Sequence, residues 1–108
     1  MSSTIKLVRG DNRPYITLRL KDVDEDPIDL TSATVNVYFR QVGSESVLST
    51  LSAQIQGAAT NGEVTFNFPG STLDVEPGLY EGEVEIDFGG EIQTVYEILK
   101  FNVRDQFD

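Results

Sequence analysis

The stretch YEGEVEIDFGGEIQTVYE, residues 80–97, decides how this chain folds. From Tyr80 to Phe88 the residues Gly82, Val84, Ile86 and Phe88 alternate with Glu81, Glu83, Glu85 and Asp87. That is the two-residue period of a strand with one apolar and one solvated face. Gly89-Gly90 allows the chain to reverse, and a second strand follows, so the stretch predicts a β-hairpin. Loop length then sets which side chains point inward. A two-residue loop, Gly89-Gly90, puts Val84, Ile86 and Phe88 on the same face as Glu91, Gln93 and Glu97, which buries carboxylates. A three-residue loop, Gly89-Gly90-Glu91, pairs Phe88 with Ile92, Ile86 with Thr94 and Val84 with Tyr96, and this is the register expected. It leaves an outer face of Glu81, Glu83, Glu85 and Asp87 beside Val95, Leu99 and Phe101.

The same alternation runs outward from the hairpin. It is found at Ile16, Leu18 and Leu20; at Ala33, Val35, Val37 and Phe39; at Leu51, Ala53 and Ile55; and at Val64, Phe66 and Phe68. No stretch shows a sustained 3.6-residue period, although Ser71–Asp74 is suited to one helical turn. Turn clusters at 10–14, 22–27, 43–45, 57–62, 76–78 and 89–90 separate the runs. About seven strands at these spacings predict an all-β chain, a single antiparallel β-sandwich of immunoglobulin-like layout occupying residues 1–108 as one domain.

Composition narrows the function. Of 108 residues 39% are hydrophobic, enough for a core, and the formal charge is −10. An acidic chain is poorly suited to phosphate backbones or anionic membrane surfaces, so neither nucleic acid nor membrane is an expected partner. With no cysteine and no histidine, thiol and imidazole nucleophiles, shuttles and metal ligands are excluded, and carboxylate, Lys or Tyr chemistry and an oxygen-ligand cation site survive. The alternating carboxylates of Asp22–Asp26 begin like an EF-hand loop. Pro27 stands where its sixth-position glycine belongs and Ala33 where its bidentate Glu belongs, so an EF-hand is excluded, and a solvated turn is favoured over a weak Ca²⁺ loop. Carboxylate pairs on a convex strand have no pocket to separate their pKa values. Gly57–Gly62 joins strands and opens no helix, so it is no phosphate cradle. We therefore expect no catalytic residues, metal or cofactor. Pro77-Gly78-Leu79-Tyr80 speaks for fold: a tyrosine early in a strand that bonds back to the preceding corner fastens many Greek-key sandwiches.

The landmarks have a familiar order. Arg9-Gly10-Asp11, a strand from Tyr15 to Leu20, Asp26-Pro27-Ile28-Asp29-Leu30-Thr31, Ala33-Thr34-Val35, Asn61-Gly62-Glu63-Val64 and Pro77-Gly78-Leu79-Tyr80 together resemble the immunoglobulin-like N-terminal domain of tailed-phage upper baseplate proteins. The resemblance spans nearly the whole chain through short motifs. It implies a non-enzymatic virion component without catalytic residues, in the baseplate or as a neck, tail-tube or fibre adaptor, contacting other virion proteins and copies of itself in a ring. The segment MSSTIKLVRG has no apolar leader, so synthesis in the host cytoplasm is expected.

Charge placement suggests how such contacts form. Residues 1–21 carry Lys6, Arg9, Arg13, Arg19 and Lys21 against Asp11, a net of +4, and residues 22–108 carry −14. One reading sets Arg9, Arg13 and Arg19 of one copy against Glu81, Glu83, Glu85 and Asp87 of another, with Val95, Leu99 and Phe101 as the apolar centre. The other pairs the basic strand with acids of its own fold and uses a bulge near Leu99 to turn the later residues into the core. A different class, a carbohydrate-binding or adhesive module, would use Tyr15, Tyr38 or Tyr96 as stacking rings, since there is no Trp.

Overall fold

The period-two runs become strands throughout. A computed structural model describes residues 4–107. Its strands are β1 (Thr4–Val8), β2 (Ile16–Arg19), β3 (Thr34–Gln41), β4 (Ser49–Ile55), β5 (Glu63–Phe66), β6 (Gly78–Asp87), β7 (Ile92–Thr94) and β8 (Leu99–Arg104). One 3-10 turn covers Ala59–Asn61, and there is no α-helix among the described residues, hence none long and apolar enough to cross a membrane. The chain is all-β.

The strands form one curled sheet in the order β1-β8-β6-β3-β4-β5-β2, with β7 also pairing β6. β1 runs parallel to β8, so the sheet is mixed and not purely antiparallel as expected. β4 turns the corner: its Ser49–Ala53 segment pairs β3, whereas Gln54 and Ile55 pair β5. The curl brings Val64 and Phe66 of β5 into one buried cluster with Val37, Val84 and Phe101. Phe39 of β3 sits at the centre, edge-on to Phe68 at 5.3 Å and Phe101 at 5.5 Å and stacked on Tyr80 at 5.1 Å. Around it, Val35, Val37, Val64, Phe66, Val84 and Ile86 are buried, as their alternation predicted, and Val103 of β8 is buried with them. No polar or charged residue is buried among the described residues.

Two glycines are required by this packing. Gly82 holds an inward position on β6 where a Cβ would lie 3.0 Å from the Phe101 ring and 3.3 Å from Val37. The missing side chain makes room for the aromatic cluster. Gly62, at φ +67°, ends the 3-10 turn, and a Cβ there would meet the Leu20 carbonyl at 2.7 Å. Its own carbonyl accepts the Leu20 N–H, tying the end of β2 to the start of β5.

The hairpin adopts the register that the sequence argued against. Asp87 lies opposite Ile92, Ile86 opposite Gln93 and Glu85 opposite Thr94, and the Phe88 N–H donates to the Glu91 carbonyl. The loop is the two residues Gly89-Gly90, both at positive φ, as a primed hairpin turn requires. Glu91, Gln93 and Glu97 escape burial because β7 projects past the margin of the core, where every one of its residues is exposed. The returning strand then gains two residues. From Asp87 back to Gly82 is five steps, whereas from Ile92 to Leu99 is seven. The surplus forms a bulge at Tyr96-Glu97-Ile98, opposite Glu83. Val95, Leu99 and Phe101 therefore face inward and not onto the outer face: Phe101 is fully buried, and Val95 and Leu99 are half-buried against the core. A one-residue change in loop length inverts the whole strand.

Candidate protein–protein interface

The outer face of β6 and β3 carries the acids singled out in the sequence. By register Arg40 lies opposite Glu81, Tyr38 opposite Glu83, Asn36 opposite Glu85 and Thr34 opposite Asp87. On the other flank Glu81 lies opposite Lys100 of β8. The four carboxylates share one strand face, but three are engaged within the fold. Arg40 Nε donates to Glu81 Oε2 at 2.7 Å. The Tyr38 hydroxyl donates to Glu85 Oε1 at 2.8 Å. Asp87 Oδ1 accepts the N–H groups of Gly89 at 2.9 Å and Gly90 at 2.8 Å, which fastens the hairpin turn. Glu83 is the exception: it is exposed and its side chain has no hydrogen-bond or ion-pair partner among the described residues.

Electrostatics on this face follow from the row of acids. The hydrogen bond to Glu85 raises the Tyr38 phenol above its ordinary value, and burial and the charges of Glu85, Glu83 and Asp87 add to the effect. Each favours the neutral phenol over phenolate.

The bulge supplies apolar contacts that the sequence reading assigned to the wrong residues. Inverting the register turns Ile92, Tyr96 and Ile98 outward in place of Val95, Leu99 and Phe101. Tyr96 is 93% exposed and Ile98 39%. Val47, in the β3–β4 loop, is 51% exposed and lines a cleft with Tyr38, Arg40, Glu81, Glu83 and Ile98. Acid and apolar side chains thus do meet on one face. The signal for Ile98 lay in the Gly89-Gly90 pair, whose two-residue preference outweighs apolar matching at the edge of a sheet.

The N-terminal arginines do not gather. Arg9 Nε bonds Asp74 Oδ1 at 3.1 Å, in the turn after β5, and this bond raises the guanidinium's already high pKa. Arg19 pairs Glu63, the first residue of β5, at 3.3 Å. Arg13 is exposed, with no ion pair among the described residues. Acids of the same fold therefore engage two of the three, although not the acids of β6.

The Asp22–Asp26 turn is closed by its own groups. Asp22 Oδ1 accepts the N–H groups of Asp24 and Asp26 at 2.9 and 3.0 Å. Among the described residues no three Asp or Glu side chains converge as a metal site. Comparison with protein-family models and with curated proteins finds no match for this chain.

Proposed function

We propose that this chain is an immunoglobulin-like β-sandwich that serves as a non-enzymatic building block of a tailed-phage virion, in the baseplate, tail or neck or as a fibre adaptor. Its layout supports the fold reading. β6 pairs β8 antiparallel beside β3, β1 runs parallel to β8, and β2 and β5 pair at the other end of the curled sheet. The Tyr80 hydroxyl donates to the Glu76 carbonyl four residues upstream, the corner bond expected of such sandwiches. The phage setting rests on the resemblance of the sequence landmarks, which lie at strand starts and corners of this layout.

The observation that carries the interaction reading is the outer face of β6, where unpaired Glu83 lies opposite a bulge presenting Tyr96 and Ile98, with Val47 beside them. Bulges re-aim side chains at functional edges, and an exposed apolar group rimmed by charge fits a contact with a second copy or another virion protein. The ionic part sets partner choice, and the apolar part supplies affinity. Lys100, exposed beside Glu81, offers a chemical handle on this face. Lysine-directed cross-linking of purified particles is expected to join Lys100 to a neighbouring protein or copy. Particles that contain the chain but give no cross-links from Lys100 would count against this face, and particles without the chain would refute the virion role.

A further inference from the structure

A second surface of the fold differs chemically from the rest of the molecule. Where β4 leaves β3 to join β5, the pairing of β4 with β5 stops at Gln54 opposite Thr65, and the two strands part. The wedge between them is a cleft of about 630 Å³. None of its twelve lining residues is charged, and nine carry a hydroxyl or a carboxamide. Four other surface clefts each contain at least two charged side chains. In a chain that is 24% charged, this neutrality sets the cleft apart from those four.

The side chains there are open for use. Ser52 and Gln54 of β4 and Gln56 just after it are exposed, and none makes a side-chain hydrogen bond among the described residues. Thr65 shares a hydroxyl contact with Thr17, and Asn67 donates to the Asn12 carbonyl, which keeps its amide oxygen available and fixes its orientation. Tyr15 stands at the rim, 68% exposed.

We propose that this cleft is a binding site for an uncharged oligosaccharide. Hydroxyl and carboxamide groups each donate and accept, matching the mixed donor and acceptor character of sugar hydroxyls. A cation would find no carboxylate in the cleft and an anion no cationic partner, and an apolar ligand would leave the polar lining unpaired. The Tyr15 ring offers a flat face for the C–H side of a pyranose. The site lies on β4, β5 and the segments before β2 and after β5; its Thr50 is opposite Tyr38, two strands from Glu83 on the same sheet face, but it shares no lining residue with the cleft at Glu83.

Titration of the whole chain with neutral oligosaccharides, namely glucan, galactan and chitin oligomers, followed by backbone-amide NMR, tests this. A neutral oligomer is expected to shift the amides of Ser52, Gln54, Thr65 and Asn67. Its affinity should be unchanged between low and moderate salt, because no ion pair is involved. Tyr15→Ala and Gln54→Ala alter exposed side chains and should keep the fold's spectrum. Tyr15→Ala is expected to weaken binding by about tenfold. The proposal is overturned if no neutral oligomer shifts these amides at millimolar concentration, if shifts arise only elsewhere, or if only sialylated or sulfated controls bind.

Discussion

Tyr80 and Phe39 set what single residues contribute. Tyr80 combines a buried ring stacked on Phe39 with one hydroxyl bond to the Glu76 carbonyl. Tyr80→Phe keeps the ring and removes the bond, so a loss of about 1 kcal/mol is expected in denaturant unfolding. Phe39→Ala removes the ring that touches Tyr80, Phe68 and Phe101 together and should cost about 3–5 kcal/mol, a large share of the stability of a domain this small. Tyr38 and Tyr80 both have raised pKa values, the first chiefly through its bond to Glu85 and the second chiefly through burial. Their folded values exceed the unfolded value of about 10. The folded state therefore holds these protons more tightly. The stability they contribute is complete below about pH 10 and is lost as pH rises through the folded values. Glu85→Gln should lower the Tyr38 pKa, which spectrophotometric titration against a Tyr38→Phe control would resolve; an unchanged value would mean the hydrogen bond is not the main cause.

At the level of elements, the β6–β7 turn is the part most worth perturbing. Asp87 accepts both glycine N–H groups, and the register of the returning strand depends on that two-residue loop. Asp87→Ala should cost about 1 kcal/mol, with amide protection lost first at Gly89, Gly90 and Ile92. Gly62→Ala should cost more, about 3 kcal/mol, because a Cβ is strained at positive φ and meets the Leu20 carbonyl. The strands themselves were legible in the sequence because alternation is a local property, and Tyr80 was legible as a corner because its motif is local too. The register of β7 and β8 was not. Apolar matching decides register only where both strands lie over a core, and β7 lies beyond it. The exposed set Ile92, Tyr96 and Ile98 was therefore hidden behind Val95, Leu99 and Phe101, its neighbours of opposite parity. The parallel pairing of β1 with β8 was equally hidden, since it joins the two ends of the chain.

Over the whole molecule, the +4 and −14 segments do not become two opposed poles. Arg9 and Arg19 are engaged with Asp74 and Glu63, and Arg40 neutralises Glu81, so the charge division seen along the chain is partly absorbed by folding. Glu83 is one of the acids left without an ion pair among the described residues, and it lies beside exposed apolar residues of the bulge and the β3–β4 loop. Exchanging that acid for a cation with Glu83→Lys should leave stability within about 0.5 kcal/mol, because its side chain is exposed and unpaired. The same exchange should impair docking to a partner, which a competition between wild-type and variant chains for incorporation into particles would measure. The most direct measurement is imaging of purified particles at a resolution that traces this chain. We expect it at ring-symmetric positions with Glu83, Tyr96 and Ile98 in contact with a neighbour; its absence from intact particles, or its presence with that face open to solvent, would contradict the proposal.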